Sequence, residues 1–148
     1  PPTLANGSTA NTLKLYGDVN DDGKMVYVEY SYAGGNLYRN VMAWNAASKP
    51  AVTASQILLS NIVPNPNGTD VFMYQPKNVG ADTFIVGVAI TLTAQTQSKD
   101  PITNQYQRET KALLNVAPRN VFDAWQVASL GFTNRIQPMP ASVQALLP

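Results

Sequence analysis

Asp18, Asn20 and Asp22 stand at alternate positions of Gly17-Asp18-Val19-Asn20-Asp21-Asp22-Gly23, with Gly23 directly after them. The spacing matches the opening half of a calcium loop, D-x-N-x-D-G. A hard cation takes about six to eight oxygens, and alternate side chains on a tight turn converge on one point. Gly23 would supply the sharp bend. Glu29 falls where the last carboxylate of such a loop belongs, but its reach is wrong. Lys24 to Tyr32 alternates like a strand, which carries Glu29 roughly 16 Å from Lys24, against a calcium–oxygen distance of ~2.3–2.6 Å. Glu29 therefore reads as a polar residue on a strand face. Two readings of the turn stand: a calcium site built from Asp18, Asn20, Asp22 and backbone carbonyls, or a solvated turn made of the residues that turns prefer.

Little other chemistry is on offer. The 148 residues include neither His nor Cys. That removes the usual general base, the Ser-His-Asp triad, thiolate nucleophiles, cysteine metal sites and disulfides. The carboxylates cluster on one turn or lie isolated, so no converging pair for glycoside hydrolysis is present. Gly34-Gly35 sits in a hairpin signal rather than a phosphate loop. Lys and Arg number 10 against 9 Asp and Glu, scattered, which leaves no electrostatic footprint for nucleic acid. The chain reads as a non-enzyme with no cofactor other than the calcium of the first reading.

Charged residues make up only 13%, against roughly 25% in an average domain. Asn, Gln, Ser and Thr take their place, which suits an extracellular or assembled surface. The hydrophobic fraction of 45% allows one domain with a real core. Asn6-Gly7-Ser8 and Asn67-Gly68-Thr69 fit the N-glycosylation pattern. The longest apolar stretch, Phe84 to Leu92, falls well short of the ~20 residues of a membrane-spanning helix. The opening Pro-Pro-Thr has no Met and no signal-peptide pattern, so a mature or trimmed fragment is expected.

The elements that must position these residues are mostly strands. Residues 1–11 read as a loose, flexible lead-in, 12–136 as the globular body, and 137–148 as a Pro-rich tail. Thr12 to Tyr16 is a short strand. In Lys24 to Tyr32, Val26, Val28, Tyr30 and Tyr32 share one face, and Met25, Tyr27, Glu29 and Ser31 the other. Ala33-Gly34-Gly35-Asn36 predicts a hairpin turn, with Leu37 to Met42 returning. Val71 to Gln75, stopped by Pro76, and Thr83 to Thr93 follow. Tyr106 to Val116 is next, with Ala112, Leu114 and Val116 expected inward and Arg108, Glu109 and Lys111 in cross-strand pairs. Thr53-Ala54-Ser55-Gln56 resembles a capping box, which predicts one or two helical turns over Ile57-Leu58-Leu59. Pro118 opens a helix running to Leu130, with Gly131 beyond its end and Val121, Phe122, Trp125 and Ala128 on one face. Tyr27, Tyr30, Tyr32, Tyr38 and Trp44 cluster near the first hairpin, most of them as core. The class is α+β, mostly β: an antiparallel sheet of five or six strands with one or two short helices. Such a sheet needs a cover on its apolar face, and the short helices are too few to provide it.

The order of features then resembles a family. It runs through Gly17 to Gly23, Val26-Tyr27-Val28-Glu29-Tyr30-Ser31-Tyr32, Gly35-Asn36-Leu37-Tyr38-Arg39-Asn40-Val41 and Ile57-Leu58-Leu59-Ser60-Asn61-Ile62. It continues with Val71-Phe72-Met73-Tyr74, Val86-Gly87-Val88-Ala89-Ile90-Thr91-Leu92-Thr93 and Leu114-Asn115-Val116-Ala117-Pro118-Arg119-Asn120-Val121. From Asn11 to Val121 this is similar to the globular head of bacterial prepilin-type proteins, the minor pilins and pseudopilins. The resemblance implies a precursor with a leader peptide and a long apolar N-terminal helix, which anchors the subunit in the inner membrane and later covers the sheet. These residues do not contain that helix, so it is expected to have been trimmed or to lie on a separate chain. The resemblance also implies a structural role in a type IV pilus or type II secretion filament, in the periplasm or outside the cell. The partners are other pilin or pseudopilin subunits, with no nucleic acid and no membrane contact by the fragment itself. Calcium sites occur in some pseudopilin heads; catalytic residues do not. The competing expectation is a secreted, calcium-dependent carbohydrate-binding or adhesive β-domain.

Overall fold

The computed structural model describes residues 4–147, without the side chains of residues 53 and 113–115. The fold is mostly β, with antiparallel sheets and two short helices. The first sheet runs in the order β1 (Thr12–Gly17), β2 (Val26–Ala33), β3 (Asn36–Ala43) and β4 (Gln56–Leu59). The β2–β3 hairpin forms as expected. Gly34 and Gly35 take φ of +55° and +76° between the paired Ala33 and Asn36, the left-handed geometry that a tight two-residue turn demands. The second sheet is built on β7 (Asp82–Gln95). On one side β7 pairs with β5 (Ile62–Val63) and β6 (Phe72–Val79), on the other with β8 (Arg108–Val116). β6 does not stop at Pro76. A register shift between Gln75 and Pro76 lets the strand continue, as a bulge accommodates proline's missing N–H.

One meander of five or six strands was the expectation; the described residues form eight strands in two sheets. This difference settles the question of cover. Leu13 and Leu37 of the first sheet pack with Ile62, Val71, Phe72 and Val88 of the second, flanked by Tyr30, Tyr32, Tyr74, Ile90 and Leu92. Each sheet therefore covers the other. The opposite face of β2 is covered as well. Tyr27, 1% exposed, packs with Val143 and Leu146 near the end of the chain. The residues of the Pro-rich tail hold this position through a short helix, α2 (Ala141–Gln144).

The other helix, α1 (Arg119–Ser129), follows Pro118 and ends before Gly131, whose φ is +88°. Val121, Ala124, Trp125 and Ala128 close over Phe84 and Val86. Phe122 sits beside this face, partly exposed, with its ring 5.4 Å from that of Trp125. Residues 4–11 tie the two sheets: Asn11 O accepts from Tyr32 N–H, and Ala10 O accepts from Phe72 N–H.

Three local expectations are corrected. Ile57-Leu58-Leu59 is not helical: a single 3₁₀ turn covers Val52–Ala54, and Gln56–Leu59 is strand β4. Pairing with Leu37 to Arg39 overrides the local capping signal. Ala112 and Val116 face outward, because no described side chain of the edge strand β8 joins a buried cluster; Leu114 lies outside the described side chains. Glu109 and Lys111 pair along their own strand at 2.7 Å, while Arg108 bonds across to Gln95.

Candidate functional site

The acidic turn joins β1 to β2, and every residue from Asp18 to Met25 is exposed. Its backbone bends through Asp21 at φ +56° and Gly23 at φ +76°. Asp18 is the hub. Its Oδ1 accepts from Asp22 N–H at 3.1 Å and its Oδ2 from Gly23 N–H at 2.8 Å. Asp22 Oδ1 accepts from Lys24 N–H at 2.9 Å. The turn thus draws Asp18 and Asp22 together, but both Asp18 oxygens already face backbone donors. A cation held by Asp18, Asn20 and Asp22 would compete with those hydrogen bonds. Among the described residues, no group of three or more acidic side chains converges in a metal-holding arrangement.

Glu29 lies away from this turn, in a place the sequence reading missed. Lys14, Glu29 and Asn40 are direct neighbours across β1, β2 and β3. Directly paired residues project from one face of a sheet. The three are 6%, 6% and 8% exposed. Glu29 Oε2 accepts from the Tyr27 hydroxyl at 2.9 Å and from Lys49 Nζ at 3.2 Å, and its Oε1 accepts from Ser31 at 3.4 Å. Asn40 Nδ2 donates to the Pro50 carbonyl at 3.4 Å. Burial pulls the Lys14 amine below its ordinary pKa, and the Lys49 charge pulls the same way, against the weaker opposing effect of Glu29. Burial, with the Glu29 carboxylate beside it, drives the Tyr27 phenol far up.

Several apolar side chains are exposed among the described residues. On β4, Ile57, Leu58 and Leu59 are 52%, 39% and 50% exposed, and the strand is the outer edge of its sheet. Beside α1, Leu130 and Phe132 stand out, with the Arg135 guanidinium 5.3 Å from the Phe132 ring. At the β7–β8 tip, Asp100 accepts from the backbone of Ile102 and Thr103 and from Gln107, while Ile102 projects into solvent. A shallow groove nearby is lined by Lys99, Asn104, Gln105, Tyr106 and Arg108. Of the first-hairpin aromatics, Tyr27 is buried, Tyr30, Tyr32 and Tyr38 are half-buried, and Trp44 is exposed.

These features define an antiparallel, mostly β domain of the α+β class with an apolar sheet edge. The chain matches no protein-family model, no curated protein and no solved structure.

Proposed function

We propose that this chain is a structural subunit: the globular head of a pilin or pseudopilin, working by packing on neighbouring subunits in a type IV pilus or type II secretion filament. On this reading it acts in the periplasm or outside the cell and performs no chemistry on a substrate. Its partners are other subunits of the filament and an apolar N-terminal helix on its precursor or on a separate chain. The observation that carries the reading is β4. A strand edge with unpaired backbone groups and three exposed aliphatic side chains is a site for adding a neighbour's strand or loop. A net charge of +1 keeps repulsion between close-packed copies small.

The test is assembly in cells that make the full-length protein. Ile57→Lys and Leu59→Lys are expected to leave the head folded and to abolish its incorporation into filaments. Normal filaments with either variant would overturn the role of β4. A gene that encodes a plain secretory signal peptide upstream of Pro1, with no long apolar helix, would overturn the pilin reading itself. The rival, an adhesive or carbohydrate-binding domain, draws on the exposed Tyr106 beside Lys99, Asn104 and Arg108. Specific retention on a glycan array would favour it.

A further inference from the structure

The β7–β8 tip and a groove beside Asp82 lie at opposite ends of one strand. We propose that the tip of one copy docks in that groove on a second copy of this chain, with Ile102 as the inserted side chain. The proposal rests on the filament reading and supplies it with an end-to-end contact that uses no residue of β4.

The tip holds Ile102 out in water on a tied backbone. It spans residues 96–107, between β7 and β8. Asp100 Oδ1 accepts from the N–H groups of Ile102 and Thr103 at 2.8 Å, and its Oδ2 from Gln107 Nε2 at 3.3 Å. Asp100 N–H donates to the Gln105 carbonyl at 2.9 Å, and Asn104 N–H to the Asp100 carbonyl at 2.8 Å. Asn104 closes the loop in the left-handed region, at φ +54°. Ile102 is 92% exposed, more than any other large apolar side chain among the described residues. A loop tied in this way has little freedom left to lose, so docking carries a small ordering cost.

The groove has the matching chemistry. It is lined by Asp82, Thr83, Phe84, Thr133, Ile136 and Pro138, and its volume of about 380 Å³ accommodates an isoleucine side chain. Phe84, Ile136 and Pro138 supply apolar surface, and Asp82 supplies charge. Two cations flank the tip. Lys99 Nζ lies 5.8 Å from the centre of the Tyr106 ring, and Arg108 Nε donates to Gln95. Among the described residues, none of Lys99, Arg108 and Asp82 has an ion-pair partner. Of the cations near the groove, Arg135 sits on the Phe132 ring and Lys77 is not part of the lining. Two unpaired cations on the tip therefore meet an unpaired carboxylate across the contact.

β7 fixes the symmetry. Thr83 lies near its first residue and Gln95 is its last, roughly 40 Å apart along the strand. The tip and the groove of one copy therefore cannot meet. Each copy offers a tip at one end and a groove at the other, so the contact is heterologous. A copy that has accepted a tip still presents its own. Repetition along β7 yields an open row rather than a closed pair.

The experiment is disulfide trapping in a chain that has no cysteine of its own. Ile102→Cys and Thr83→Cys are combined in the whole chain, which is mildly oxidised and run on a denaturing gel without reductant. Residues held so far apart in one copy cannot bridge within it. The expected result is a ladder of dimers, trimers and longer species that collapses on reduction. The two single variants, mixed, are expected to stop at the dimer. They should give at least fivefold more of it than Ile102→Cys gives with Asn67→Cys, an exposed position outside the groove. Asp82→Lys is expected to weaken the ladder at least fivefold, and Lys99→Glu with Arg108→Glu to restore it. Trapping no better than at Asn67, or dimers through Ile102→Cys alone, overturns the proposal. So does Ile102-dependent sedimentation with anionic phospholipid vesicles in place of a ladder, which would make the tip a membrane anchor. Normal filaments in cells without a ladder from the double variant overturn this contact and leave the pilin reading standing. A ladder from a chain that enters no filament keeps the contact and removes that reading.

Discussion

The Tyr74 hydroxyl, on the second sheet, donates to the carbonyl of Thr12 at 2.9 Å, at the first residue of the first sheet. The Thr9 carbonyl, also at 2.9 Å, shares the same proton. This contact fastens the two sheets at one end of their common core. Tyr74→Phe keeps the ring and loses the bond, so it should cost about 1 kcal/mol in urea denaturation. Burial pushes the Tyr74 phenol from 10.0 up to about 12. The folded value is raised above the unfolded one, so the contribution is fully present below pH 10 and is lost as pH rises through about 12. An ultraviolet phenolate titration of the native chain against Tyr74→Phe should find one late-titrating tyrosine missing. A Tyr74 that ionises with the exposed tyrosines would contradict the fastening.

Leu146, 3% exposed, closes over Tyr27 together with Val143. Leu146→Ala should cost about 2–5 kcal/mol, the range for emptying a buried leucine site. Equilibrium unfolding measures it, and a loss under 1 kcal/mol, below the range for such a site, would mean the C-terminal segment is not part of the core.

Asp18 offers both carboxylate oxygens to its own turn. Calcium at millimolar concentration is therefore expected to leave the melting temperature unchanged, since a ligand that binds the native state must raise it. Asp18→Ala should destabilise the turn by about 1 kcal/mol, equally with and without the ion. A calcium-dependent rise that Asp18→Ala abolishes would establish the ion site instead.

Gly34 and Gly35 share the hairpin turn but not its surroundings. A Cβ on Gly34 meets open space, while one on Gly35 comes to 3.3 Å from the Ile62 carbonyl oxygen. Either alanine pays roughly 1–2 kcal/mol for the left-handed backbone. Gly35→Ala should cost measurably more, because a backbone oxygen cannot step aside as a side chain does. Equal losses would show that β5 yields freely.

Local patterns carried part of this structure. Alternation in Val26 to Tyr32 and Thr83 to Thr93, the paired glycines, and Pro118 with Gly131 each encode their element over a few residues. Ile57-Leu58-Leu59 does not, because its strand exists only by pairing with Leu37 to Arg39. Tyr27 was readable as core but not its cover, which arrives from Val143 and Leu146. The acidic turn was legible as a turn. The Lys14, Glu29 and Asn40 row needed the register of three strands, which no single stretch of sequence contains.

The seating of Val143 and Leu146 on Tyr27 also sets a schedule for biosynthesis. A ribosome delivers the N-terminal strands first. The first sheet can pair while its far side is still bare, and a bare aromatic row is what holding chaperones bind. Closure waits for residues made after α1. A ribosome stalled in α1 should therefore carry a head that is paired but unsealed.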